Sequence, residues 1–293
     1  MKLLTFLGFK KKMDEHKDPW RYISVRLKEY YTEPGMPTKD DIKITKKYAT
    51  LALKEPKDRK VLILGATPRL RDLFYKLGCK VTVCDINKEM IMANTLLMKE
   101  NNKDEKRVVA NWLKMPFPKN HFDMVTGDLL IPNIPHKDRK KFYSEIKRVL
   151  KQGGYFLTRL AILTEGWKRD PVDKLIDFYV KRGYKKCRDQ EMFCHILHQS
   201  FNPKTKMVDS MNVMKLLKKY WDGKQFRHKD KGMEKMLNRG HELWKPYDKK
   251  WSYNTEKDLR NELKKFFMII RDNLRAKDHT MAEGYVNFLM KTK

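Results

Sequence analysis

Five short β-rich runs alternate with helical stretches between residues 60 and 160, and nothing else in the 293-residue chain constrains its fold as tightly. Lys60-Val61-Leu62-Ile63-Leu64 is apolar almost throughout and stops at Gly65, as expected of a strand buried on both faces. Pro68 to Leu77 then carries Leu70, Leu73, Phe74 and Leu77 at helical spacing and closes on Gly78. Lys80 to Cys84 is a second strand, Glu89 to Met98 a second helix, and Arg107 to Ala110 a third strand. Phe122 to Gly127, a helix over Lys137 to Leu150, and Tyr155 to Leu160 after Gly153-Gly154 complete the series. Repeats of this length demand right-handed crossovers and a parallel sheet.

The flanks read differently. Residues 13–60 are polar and mostly helical, broken at Glu33-Pro34-Gly35-Met36-Pro37, with a helix from about Asp40 to Lys54. Residues 170–250 suggest helices over Asp170–Lys181, Ser210–Trp221 and Gly232–Trp244. A helix over Thr255–Lys265 and two strands, Phe266–Ile270 and Tyr285–Met290, end the chain. The expected class is α/β: a Rossmann-like, doubly wound, mostly parallel seven-stranded sheet with an antiparallel last strand. N-terminal helices (1–57) would precede a core made of 58–165 and 251–293. A helical insertion (166–250) would serve as a lid that recognises substrate.

Composition narrows the function classes. With 41% hydrophobic and 11% aromatic residues the chain can fill a large core, which excludes intrinsic disorder. Four cysteines in 293 residues point to a reducing, cytoplasmic setting. There is no run of 18 apolar residues to span a membrane. Leu3 to Phe9 precedes Lys10-Lys11-Lys12, the reverse of a signal peptide's order. The balance of 66 Lys+Arg against 37 Asp+Glu gives +29, spread along nearly the whole chain and built from 49 Lys and 17 Arg. Lysine lacks the bidentate fork that reads phosphate and guanine, so this excess favours anionic partners without specifying nucleic acid. A small-molecule partner is expected ahead of RNA. Cys187, Cys194, His195 and His198 lack the paired spacing of a zinc site, and no metal is expected.

Ligands of open parallel sheets bind beyond the carboxyl ends of the strands, where strand order reverses. Gly65-Ala66-Thr67-Pro68 follows the first strand and opens a helix, so backbone can approach a ligand there. Asp85 ends the second strand, twenty residues on, where a carboxylate can accept from two ribose hydroxyls. Asn111 and Trp112 follow the third strand, an amide and an aromatic suited to an adenine edge and face. Asp128 follows the fourth, with Asn133 downstream.

These residues carry a resemblance. Val61 to Pro68, Val83-Cys84-Asp85-Ile86, Asn111-Trp112 to Pro116-Phe117, Phe122-Asp123 to Gly127-Asp128 and Val149 to Gly154 together resemble the class I S-adenosylmethionine-dependent methyltransferases, in a variant with an L-G-A-T-P first loop. The resemblance implies that Gly65, Ala66, Thr67 and Pro68 line the cofactor and that Asp85 binds its ribose. Ile86 would pack on adenine, flanked by Asn111 and Trp112, and Asp128 would stand beside the sulfonium as a cofactor and catalytic residue. Two departures stand out: Ile63 occupies the position of the family's usual acidic residue, and Thr67 and Arg69 replace the later loop glycines. A dinucleotide site would need a G-x-G-x-x-G that is missing here. The expected activity is methyl transfer to an unidentified, anion-biased acceptor by in-line displacement. The alternative is a non-catalytic nucleic-acid-binding protein that keeps the fold, a reading that draws on Ile63, the lost glycines and +29.

Overall fold

The computed structural model describes residues 24, 27–30, 32–100, 103–183, 189–244 and 249–293. Leu3–Phe9, the three lysines after it, Trp20, Tyr22, Tyr31 and Cys187 lie outside the described residues.

The α/β alternation forms as its periodicity dictates. Helix α1 (Lys39–Leu53) is followed by β1 (Lys60–Leu64), α2 (Pro68–Lys76), β2 (Lys80–Asp85), α3 (Lys88–Thr95), β3 (Lys106–Val109) and β4 (Phe122–Asp128). Next come α4 (Arg139–Val149) and β5 (Leu150–Ala161). Thr38 starts α1 through a capping box: its hydroxyl accepts from the Asp41 N–H at 3.1 Å, and the Asp41 carboxylate accepts from the Thr38 N–H at 3.0 Å. Strand β5 begins five residues earlier than its apolar pattern implies. Leu150 pairs with Phe122, and a register shift absorbs the two glycines before Tyr155 pairs with Met124.

Helices α5 (Val172–Arg182), α6 (Asp189–Gln199), α7 (Ser210–Leu216) and α8 (Lys231–Trp244) make up most of the insertion. Strands β6 (Met207–Asp209) and β7 (Lys250–Ser252) pair antiparallel, so the insertion is clipped together by a small ladder. Sequence periodicity gives no hint of that ladder, since three residues are too few to show alternation. Helix α9 (Glu256–Lys264), β8 (Phe267–Arg271) and β9 (Tyr285–Thr292) return to the main sheet.

That sheet has seven strands in the order β3-β2-β1-β4-β5-β9-β8, with β9 antiparallel to both neighbours and the remaining pairs parallel. Strand order reverses between β1 and β4. One face packs Val61, Ile63, Met124 and Leu157 against Tyr48 and Ala49 of α1 and Leu70 and Phe74 of α2. The other packs Leu62, Val125 and Phe156 against Phe142 and Ile146 of α4 and Leu259 and Leu263 of α9. A third core fills the insertion, with Ile176, Phe193, Ile196, Val213 and Leu237 among its buried members. It runs into Ala161, Leu163 and Tyr285 at the carboxyl edge of the sheet and into Ala93 of α3, so the insertion sits on that edge. Among the described residues no helix is long and apolar enough to cross a membrane.

Candidate functional site

The crevice at the point of strand reversal starts with Gly65. Its φ of +75° is a conformation that side chains resist, and its N–H donates to the Cys84 carbonyl at 2.9 Å. A Cβ on Gly65 would stand 3.8 Å from the Trp112 ring and 4.0 Å from Asp85 Oδ2. The residues after three different strands therefore converge on one backbone turn. Trp112 is fixed there by its indole N–H, which donates to the Cys84 carbonyl at 2.9 Å. The loop behind it is anchored from α4: Arg148 donates to the carbonyls of Met115 and Phe117 at 2.8 and 2.6 Å.

Asp85 Oδ1 accepts the Asn87 N–H at 2.8 Å, and Asn87 caps α3 by accepting the Met90 N–H. Burial pushes the Asp85 carboxyl up to about 6, against the Asn87 N–H and the Lys249 ammonium, which both favour its ionised form. Next to it, Ile86 is 64% exposed, and Val109 at the end of β3 is 54% exposed. Two exposed aliphatic side chains beside a partly buried carboxylate are an unusual use of surface, and they leave an apolar flank for a flat ring. Asn111 is exposed, and its side chain accepts the Leu113 N–H at 2.9 Å.

Ala66 and Pro68 are buried, and Thr67 opens α2 without a side-chain cap. Helix α2 is held by Arg71, whose fully buried guanidinium pairs with Glu105, bonds Thr95 Oγ1 at 2.7 Å and reaches the Ala66 carbonyl at 3.5 Å. Arg69 bonds Glu33 and the Pro37 carbonyl, tying the first loop to the segment before α1. Ile63 is fully buried in the face covered by α1 and α2, where an ionised group would need a partner.

On the far side of the reversal point, Gly127 lets β4 press against β1: a Cβ there would lie 2.6 Å from the Leu64 carbonyl oxygen. Asp128 is sealed from solvent. Arg159 Nε and Nη2 donate to its two carboxylate oxygens at 2.7 and 3.0 Å. The same guanidinium donates to Asp41 at 2.8 Å and to the Pro34 carbonyl at 2.9 Å, and stacks 5.0 Å from the Tyr285 ring centre. Asn287 adds a bond to Asp41 at 3.2 Å. Burial opposes the charge on Asp41, but Arg159 and the Thr38 N–H outweigh it and hold the carboxyl below its usual range. Burial raises Asp128, more than Arg159 brings it back. Two carboxylates share one guanidinium, so a surplus negative charge remains between them. Sequence patterns leave Asp41 and Arg159 invisible, because the pair is separated by 118 positions in the chain.

A cleft of about 150 Å³ opens at the same sheet edge, where β5 exits and β9 enters. Ile162, Thr164, Trp167, His195, His198 and Gln199 are among its lining residues. His198 bonds the Tyr253 hydroxyl at 3.1 Å, and burial drives its imidazole down to about 3. Burial lowers His195 too. Trp221, by contrast, packs on Phe226 and His241 inside the insertion. Among the described residues no group of His, Cys, Asp and Glu is arranged to hold a metal ion.

A reversal-point glycine, a carboxylate after β2, an aromatic after β3 and a 3-2-1-4-5 order with a closing antiparallel hairpin define a Rossmann-like methyltransferase domain. Residues 64–158 match the family described as "Methyltransferase domain", which supports a class I S-adenosylmethionine-dependent methyltransferase fold for this segment. A ubiquinone/menaquinone biosynthesis C-methyltransferase of Psychromonas ingrahamii is 34% identical over 129 residues, a match covering 42% of this chain and 49% of that enzyme. The chain thus spans about half the length of such relatives. In overall shape it is similar to a Rhodobacter sphaeroides protein assigned by name to the Zn-dependent alcohol dehydrogenases, with TM-score 0.55 at 14% identity, covering 97% of this chain and 100% of the other. It is also similar to the 1,6-didemethyltoxoflavin-N1-methyltransferase of Burkholderia thailandensis, with TM-score 0.52 at 11% identity, covering 97% and 92%. Both likenesses concern the fold.

Proposed function

We propose that this protein transfers a methyl group from S-adenosylmethionine to a small acceptor. The observation that carries the reading is the convergence of Asp85 and Trp112 on Gly65 at the reversal point, both within about 4 Å of where a Cβ on Gly65 would stand. The donor set fits the cofactor part by part. Asp85 presents a carboxylate to a ribose diol, Ile86, Val109, Asn111 and Trp112 surround the place for adenine, and Gly65 to Pro68 offer close-approaching backbone. When bound, the cofactor supplies a methyl group on positive sulfur, open to attack from the side opposite its leaving thioether.

The chain's residues would then hold and orient. Asp85 is ionised at neutral pH at a cost imposed by burial, and ribose hydroxyls offset that cost. Asp128, with both oxygens engaged by Arg159, acts in our reading through position and surplus negative charge and does not need to take a proton. The Asp41–Arg159–Asp128 cluster supplies at the reversal point the negative charge that Ile63 does not. Methyl transfer would come mainly from near-attack placement of the acceptor.

The acceptor site we favour is the cleft beside β5 and β9. Its two imidazoles are neutral at pH 7 and Glu283 lies at its edge, which suits an uncharged, hydrogen-bonding molecule better than an anion. The +29 charge then serves approach and solubility. C-methylation is what the Psychromonas relative's name states of that enzyme, and the acceptor atom here is a separate question. Calorimetric titration with S-adenosylmethionine tests the proposal: binding is expected in the wild type and strong weakening in Asp85→Ala. Absence of binding to the wild type, or an unaffected variant, defeats it.

A further inference from the structure

The insertion reaches into the crevice with one lysine. Lys249 lies just before β7, and its backbone is pinned to the start of α7: the Lys249 N–H donates to Ser210 Oγ at 2.9 Å, and the Ser210 N–H donates to the Lys249 carbonyl at 3.0 Å. Its ammonium donates to Asn133 Oδ1 at 2.7 Å and lies 5.3 Å from the Trp251 ring centre. Asn133 is itself held, its amide donating to the Leu129 carbonyl at 2.8 Å in the turn after β4. On its other side Lys249 interacts electrostatically with Asp85 after β2.

Strand β1 runs between β2 and β4. A group that bonds the turn after β4 and also interacts with the carboxylate after β2 lies on the side of the crevice where β1 ends at Gly65. That is the middle of the path from Asp85 to Asp128, along which the cofactor would lie. We infer that Lys249 is a cofactor-site residue lent by the insertion, placed to distinguish a ligand with positive sulfur from its neutral thioether product. The inference rests on the reading that S-adenosylmethionine occupies this crevice.

The physical chemistry is a comparison of charges at close range. Burial lowers Lys249 to about 7, with Asp85 working in the opposite direction. Among the groups that face Lys249 are Asp85 from β2 and the uncharged Asn133 of the β4 turn and Trp251 of β7. Lys250, next in sequence, pairs with Asp209 of β6 at 3.7 Å. A protonated Lys249 repels a sulfonium in a site poor in water but tolerates a thioether. A neutral Lys249 accepts both. Binding of S-adenosylmethionine therefore releases the Lys249 proton, while S-adenosylhomocysteine leaves it in place. After methyl transfer the lysine regains its proton and no longer favours the charged ligand.

The experiment measures affinities of the full chain for S-adenosylmethionine and S-adenosylhomocysteine at pH 6 and pH 8.5. Asp85 must ionise for either ligand, so its titration cancels in the ratio of the two affinities. The expected result is a ratio that shifts toward S-adenosylmethionine by on the order of tenfold between the two pH values. Lys249→Met should make the ratio independent of pH at the value favouring the charged ligand. Lys249→Arg, which keeps its charge, should hold it at the value favouring the thioether throughout. A wild-type ratio that does not move with pH, or that moves identically in Lys249→Met, overturns the inference while the cofactor reading stands. If neither ligand binds the wild type, both fall.

Discussion

The two sides of the reversal point use carboxylates in opposite ways. On the β2 side Asp85 stands without an ion-pair partner within 4 Å among the described residues, its ionisation made costly by burial, with exposed Ile86 beside it. On the β4 side Asp128 is paired with Arg159 through both oxygens, and Asp41 closes the cluster from α1. The first side keeps unspent interaction capacity at a cost to the apo protein. The second already has both carboxylates bonded to Arg159 and has become part of the framework. A ligand can gain much at Asp85 and little at Asp128, although both are aspartates at strand ends of one sheet.

The largest expected effect tests the sealed side. Arg159→Met strands two buried carboxylates, and removing one partner of a buried charge cluster typically costs about 3–5 kcal/mol. Denaturant unfolding should show it; a loss below about 1 kcal/mol would break the contrast, because Arg159 would then be dispensable to the framework. The open side should respond inversely to Asp85→Asn. Burial pushes the folded Asp85 carboxyl up to about 6, above the usual 3.8, so its ionisation disfavours folding from about pH 4 upward and fully above about pH 6. At pH 7.5 the neutral amide should stabilise the apo protein by about 1–3 kcal/mol while weakening S-adenosylmethionine on the order of 100-fold. A variant that loses affinity and stability together would make Asp85 a structural carboxylate.

The cleft gives the next effect in size. His198 stays neutral in the folded state down to about pH 3, whereas the unfolded chain protonates near 6.5. Stability is unaffected above that value and declines as pH falls below it, by up to about 1.4 kcal/mol per pH unit from this residue. In His198→Gln, unfolding curves between pH 6.5 and 5 should flatten by one proton; an unchanged slope would mean that the cleft's imidazole is not held neutral. The smallest effect concerns the support for Asp41. Thr38→Ala removes the cap of α1 and should cost about 1 kcal/mol in thermal unfolding, with cofactor affinity retained. If affinity falls tenfold or more instead, the segment before α1 belongs to the ligand site and the sealed side is not sealed.

The βαβ core was legible because its signals are local. Apolar runs ended by Gly65, Asp85 and Asp128, helices of 3.6-residue period, and turn glycines can each be read within ten residues. The seven-stranded architecture followed from them, as did the return of β8 and β9. Helix α6 had a readable signal in Met192, Phe193, Ile196 and Leu197, which share one face, so an apolar-faced segment outweighs a metal reading of the histidines beside them. Two expected features of the first loop took on a different meaning in three dimensions. Arg69, where the family's loop has a glycine, fastens the segment before α1, and Ile63 packs where a charge would be unpartnered.

By itself, the sequence determined the order of elements, the sheet and which side chains stand at the strand ends, since periodicity and turn chemistry act between near neighbours. Only the tertiary structure decided what those side chains face. The guanidinium that pairs with Asp128 comes from β5, its second carboxylate from α1, and the ammonium that bonds Asn133 from the end of the insertion, 116 positions away. Charge pairing in a buried site depends on distance in space and on exclusion of water, and neither is written in the spacing of residues along the chain.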